Sequence, residues 1–98
     1  MLYIRLCFDK AAQPELRERM RAEHRAYIMR HVGPGAVPRV TQAGPLCINE
    51  DDDANLASFM ILEADSIEAV RRFHEEDPFT KAGLFERADI HRWDKHIG

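Results

Sequence analysis

Asp77-Pro78-Phe79-Thr80-Lys81-Ala82-Gly83-Leu84-Phe85 holds a helix start, a helix stop and a strand entry in one run. Asp is a strong N-cap, and Pro is favoured at the first helical position, where its missing N–H costs nothing. Gly83 can take the left-handed conformation that ends a helix. The run therefore predicts a single helical turn that delivers the chain into a strand from Leu84. It also leaves a carboxylate, Asp77, at a structural corner.

Upstream of this run, Asp65-Ser66 starts a helix whose inner face is Ile67, Val70, Phe73 and His74. Asp65 and Glu68 have the spacing of a capping box. Downstream, Leu84 to Trp93 alternates as a strand, with Phe85, Arg87, Asp89, His91 and Trp93 on one side. Leu56 to Glu63 is a further strand, apolar on both parities. Between Ala36 and Ile48, Val37, Val40 and Leu46-Cys47-Ile48 favour a strand that Pro38, Gly44 and Pro45 interrupt, so a broken or bulged strand is expected. Asn49 to Asn55 is an acidic loop.

At the start of the chain, Leu2 to Phe8 alternates, with Leu2, Ile4, Leu6 and Phe8 opposite Tyr3, Arg5 and Cys7. Asp9 to Pro14 is a loop. Glu15 to about His31 is helical: Leu16, Met20, His24 and Ile28 recur every four residues, and Arg17, Glu18 and Arg21 lie on the flanks and solvent side. Glu15 and His31 suit the two ends of the helix dipole, and Gly33-Pro34-Gly35 stops the helix. The order is β-α-β-β-α-β, an α+β, ferredoxin-like split βαβ with a four-stranded antiparallel sheet. Two helices cover one sheet face. The first and third strands are apolar in both directions, so the other face calls for a second copy of the chain, and a homodimer is expected.

Ninety-eight residues fit one domain, 1–98. The chain is 45% hydrophobic and 32% charged, with a formal charge of −3. Its arginines are scattered, which argues against nucleic acid. Cys7 and Cys47 form no metal-spaced cluster and read as buried free thiols of a reducing, cytoplasmic compartment. MLYIRLCF has no signal-peptide pattern, and no window of ~18 apolar residues suggests a membrane span. Asp51-Asp52-Asp53 lacks the glycine and terminal glutamate of a calcium loop. With no phosphate-binding glycine loop either, no metal and no nucleotide cofactor is expected.

His24 stands where another Leu would be the default. It reads either as a half-buried histidine bonded to a loop or as a general acid or base, which would need a carboxylate to fix its tautomer. Asp77 is the candidate carboxylate, although its capping role alone explains it. Asp9 competes for the same part. Gly44-Pro45 is a turn or bulge, or a close approach for a ligand. Ser58, a small hydroxyl in an apolar strand, fills a tight spot or donates to a ligand.

Phe8-Asp9, Leu16-Arg17, His24, Ala43-Gly44-Pro45, Ser58, the Asp77–Phe85 run and the strand closing on Trp93 together resemble the YciI-like (YCII-related) proteins across nearly the whole chain. The resemblance implies a dimeric α/β barrel with a His–Asp site, His24 and Asp77. Asp9, Gly44, Pro45, Ser58 and Phe79 would line its substrate pocket. It also implies acid–base chemistry (proton transfer, elimination or isomerisation) on a small cyclic or aromatic compound in a dimer cleft, as in a dehydrochlorinase among the relatives. Pro38 and Phe79, the latter where Tyr is frequent, depart from the common pattern. The alternatives are a non-catalytic dimeric metabolite-binding or accessory protein, and a monooxygenase-like or muconolactone-isomerase-like barrel.

Overall fold

The computed structural model describes residues 1–11 and 13–98. Ala12, in the expected loop before the first helix, lies outside the described residues. The elements run β1 (Leu2–Asp9), α1 (Pro14–Met29), β2 (Arg39–Cys47), β3 (Asn55–Glu63), α2 (Ile67–Glu76), α3 (Pro78–Lys81) and β4 (Phe85–Trp93). The sheet order is β2-β3-β1-β4, and every neighbouring pair is antiparallel. This is the expected ferredoxin-like α+β fold, and α3 is the single turn read from the Asp77 run.

β1 lies at the centre of the sheet, between β3 and β4. Its side chains alternate between two environments, as the pleat requires. Tyr3, Arg5 and Cys7 are buried on the helix side, whereas Leu2, Ile4, Leu6 and Phe8 are half-buried on the other. The register places Phe59 opposite Leu6 and Ile61 opposite Ile4, so β3 adds two apolar side chains to that second face. On the helix side, Tyr3, Val40, Met60 and Leu62 pack with Tyr27 of α1 and with Val70 and Phe73 of α2. Burying a side chain such as Phe73 is worth about 1.5–3 kcal/mol, which is the main attraction docking α2.

The two helices are held differently. α2 concentrates its apolar residues on one face, and its N-cap is Ser66, whose hydroxyl accepts from the Ala69 amide at 3.2 Å. The cap is therefore Ser66 and not the Asp65 box. α1 is far more polar, and Tyr27 is its one fully buried residue among those described. That ring stacks on Phe73, and its hydroxyl donates to the Phe73 carbonyl at 2.8 Å. Leu16, Met20, His24 and Ile28 are half-buried along the same side, as their spacing predicts.

Several details differ from expectation. α1 ends at Met29, before the glycines, because the Arg30 and His31 amides turn back onto carbonyls three residues earlier. His31 thus lies past the helix end, and its Nδ1 donates to the Pro38 carbonyl at 3.0 Å. β2 is bulged as expected, between Val40 and Gln42 and again between Leu46 and Cys47. Pro45 is tolerated because β2 is an edge strand. Gly44 has an ordinary φ, and nothing lies within 4 Å of where its Cβ would be, so it marks no close approach within the chain. Cys47 is exposed, and only Cys7 is buried. β4 begins one residue later than predicted, after Gly83 at φ 76° closes α3.

Candidate active site

Asp77 is completely buried, with an exposure of 0%. A carboxylate there must have every lone pair engaged, and each partner follows from a different element. Its Oδ1 caps α3, accepting from the Phe79 amide at 2.9 Å. The same oxygen lies 2.8 Å from His24 Nδ1, which α1 delivers. Its Oδ2 accepts from Arg5 Nη2 at 2.9 Å, across from β1. Burial alone would raise the carboxyl's pKa. The hydrogen bond from His24, the Arg5 charge and the Phe79 amide together outweigh it, and the carboxyl is held below its ordinary range. An ionised carboxylate only accepts, so His24 Nδ1 carries the hydrogen, and in the neutral form of the ring Nε2 holds the lone pair.

His24 is 17% exposed. Its ring lies flat against Phe79, with centroids 3.9 Å apart and 8° between planes. Phe79 is itself buried, and it also packs beneath the Arg17 guanidinium at 4.9 Å. Arg17 and His24 are seven residues apart on α1, two turns or about 10.5 Å of rise, so one aromatic ring serves both. The sequence placed Arg17 on a flank of α1, but in the structure it gathers other residues. Nε and Nη2 form a two-pronged ion pair with Asp9 at 2.6 and 2.8 Å, and Nη2 also donates to Ser58 Oγ at 3.2 Å.

His24, Asp77 and Phe79 therefore form one contact group. Arg17 ties Asp9 and Ser58 to it through the Phe79 ring. Asp9 does not compete for His24, because Arg17 occupies both its oxygens. Gly44 and Pro45 are exposed on β2, where Pro45 stands opposite Ser58 in the register. Phe79, buried among protein groups, supports the imidazole and presents no open face of its own.

Arg5 and His74 were missed. Arg5 is 2% exposed and lies between the rings of Phe73 and Phe85, at 5.6 and 5.5 Å. Its Nε donates to His74 Nδ1 at 3.0 Å, and Nη1 contacts Met60 Sδ at 3.8 Å. Burial, together with the Arg5 charge, pushes His74 down to about 4, so this ring is a neutral acceptor. The available signal was a charge in the Tyr3-Arg5-Cys7 row of a strand apolar on both faces. Burial pushes the Cys7 thiol up, which leaves it a poor nucleophile.

A groove of about 700 Å³ opens between α1 and α3, lined in part by Glu23 and Pro78. These are the chain neighbours of His24 and Asp77, but neither member of the pair faces it.

Residues 1–94 match the family model described as the YCII-related domain. The chain belongs to that family. Protein YciI of Escherichia coli is 30% identical over 99 residues, spanning 97% of this chain and 98% of that one. Among solved structures, the 5-chloro-2-hydroxyhydroquinone dehydrochlorinase TftG of Burkholderia phenoliruptrix is similar at 32% identity and a TM-score of 0.83. The match covers 98% of this chain and 96% of TftG, which was solved with 2,5-dihydroxybenzoquinone. SnoaB, a cofactor-independent oxygenase of Streptomyces nogalater, shares the fold at 15% identity and a TM-score of 0.56, over 98% of this chain and 95% of its own. No helix among the described residues of this YCII-related chain is long and apolar enough to cross a membrane.

Proposed function

We propose that this YCII-related protein is an enzyme acting on small hydroxylated ring compounds, with His24 as general acid and base and Asp77 as the carboxylate that orients it. The observation carrying this reading is the 2.8 Å contact between His24 Nδ1 and a fully buried Asp77. It leaves Nε2 as the basic nitrogen of a half-buried ring, the arrangement a general base needs. Nε2 takes a proton from a ring hydroxyl. The electron pair left on oxygen then tautomerises the ring, a ring carbon taking the proton from the imidazolium. Where that carbon carries a leaving group, Nε2 takes a second hydroxyl proton, the new C=O forms and the leaving group departs with its bonding pair. The imidazolium returns the proton to the ring or to water. Similarity to TftG along nearly the full length of both chains supports the substrate class.

The reading includes a homodimer. Leu2, Ile4, Leu6, Phe59 and Ile61 form an apolar sheet face without helix cover in one chain, and a second copy packed sheet to sheet would bury it. The acid–base site stands on the other, helix-covered side of the sheet with Arg5, so this sheet-to-sheet contact would not itself form the expected dimer cleft.

The test uses 2,5-dihydroxybenzoquinone as a thermal-shift probe and 5-chloro-2-hydroxyhydroquinone as a turnover probe, with chloride release as the signal. Binding raises Tm with ligand concentration. Loss of a general base costs about 10²–10⁴-fold in rate, so His24→Ala should release chloride that much more slowly while remaining folded. A folded His24→Ala at the wild-type rate would refute the catalytic role. A thermal shift with no turnover on any hydroxylated ring would favour a metabolite-binding protein.

A further inference from the structure

Asp77 has two side-chain partners, and only one of them is permanently charged. His24 can be neutral or cationic, whereas a guanidinium stays protonated at any accessible pH. If His24 were the sole partner, a neutral imidazole would leave an uncompensated carboxylate at 0% exposure, which is costly. The pair would then favour the imidazolium, and the ring would be slow to give up its proton. Arg5 removes that constraint. It lies on Oδ2, the oxygen His24 does not use, at 2.9 Å. Phe73 and Phe85 on either side, and His74 and Met60 at its other nitrogens, hold it there.

We propose that Arg5 is a positioning residue for the His24–Asp77 pair: its guanidinium supplies the counter-charge of Asp77 at all times, so that His24 can gain and lose a proton while Asp77 goes on accepting from Nδ1–H. The inference rests on the acid–base reading for its use, though its geometry is independent of any substrate.

Among the described residues, β1 contributes Arg5, Cys7 and Asp9 to the surroundings of the pair; α2 contributes His74 and, at its end, Glu76; α1 contributes Arg17, Glu23 and Tyr27, and Glu23 and Glu76 face the groove between α1 and α3. Asp9 and Arg17 neutralise each other in their two-pronged pair. His74 accepts from Arg5 and is uncharged. The Cys7 thiol and the Tyr27 phenol are both pushed up, Tyr27 to about 12, and stay neutral. Arg5 is therefore the cation that balances Asp77 when His24 is neutral.

The experiment is nitrogen-15 NMR of the imidazole in ligand-free wild type, Arg5→Met and Arg5→Lys at one neutral pH. Arg5→Met should raise the ratio of imidazolium to neutral His24 at least about tenfold, and Arg5→Lys should restore most of the wild-type ratio. A purely structural role for Arg5 would loosen Asp77 and leave the ratio level or lower; either result in a folded Arg5→Met overturns the proposal. His24→Ala, followed by carbon-13 NMR of the Asp77 carboxyl, decides the matter if Arg5→Met does not fold. With Arg5 as its remaining cation, Asp77 should stay ionised at the neutral pH of these spectra. A carboxyl found protonated there overturns the proposal, because burial without a counter-charge pushes a carboxyl well up. These spectra need no substrate, so a failure of the chloride-release assay would reject the catalytic reading and leave the Arg5 result standing.

Discussion

His74→Gln tests the electrostatics behind the site. In the native protein His74 Nδ1 accepts from Arg5 and the ring titrates at about 4, against an ordinary 6.5. The native histidine's affinity for protons is depressed, so between those values the unfolded chain binds the additional proton. Stability must therefore rise with pH through this window and fall on acidification from about 6.5 towards 4. At about 1.36 kcal/mol for each pH unit, the gap comes to roughly 3 kcal/mol; partial exposure of the ring trims it to ~2–3 kcal/mol. Gln can offer Oε1 to Arg5 Nε and does not titrate. Urea unfolding of both proteins from pH 7.5 to 4 should show wild type losing about 2–3 kcal/mol more than His74→Gln. Below about pH 4 the two curves should fall in parallel, keeping the offset already accumulated, because Asp77 then acts on both: its depressed native carboxyl contributes stability above its ordinary 3.8 that is lost as pH falls further. Parallel curves between pH 6.5 and 4 would refute the buried, neutral His74 and the path from it to Arg5.

Asp77→Asn keeps an oxygen to cap α3 but strips the counter-charge from a buried guanidinium, so a loss of about 3–5 kcal/mol is expected in equilibrium unfolding. A loss below about 1 kcal/mol would mean that Arg5 finds solvent. Ile4→Glu places a charge in the uncovered sheet face and, if the proposed dimer forms through that face, should give a folded monomer by light scattering beside a dimeric wild type. A retained dimer mass would move the interface elsewhere.

The fold was legible because its elements are locally marked. Alternation in Leu2–Phe8 and Leu84–Trp93, the four-residue spacing from Leu16 to Ile28, and the Asp77–Gly83 run each name their element without help from the rest. The His24–Asp77 contact was legible as a pairing of an odd histidine with a spare carboxylate, supported by family resemblance. Arg5 was not. Alternation states that two rows exist but not which one faces the helices, and the Leu2-Ile4-Leu6-Phe8 row is the more apolar. The helix side instead took Tyr3, Arg5 and Cys7, because Asp77 and His74 wait there to receive a cation. Arg17 was hidden for a related reason. Its position on α1 places it at the edge of the half-buried row, and only the tertiary approach of Asp9, Ser58 and Phe79 turns a flank arginine into a junction.

The central position of β1 has a consequence for biosynthesis. Leu2 stands opposite Glu63 on one side and Trp93 on the other, so the first strand made is the last to be fully paired. Pairings this distant in sequence close slowly. While the ribosome is still adding β4, β1 carries an open edge, and edges of this kind recruit other chains. Arg5 reaches Asp77 only after some seventy further residues have emerged. The order of synthesis and the order of assembly run against each other. A chain cut short of Phe85 would therefore expose the β1 edge and self-associate, whereas a completed chain seals that edge.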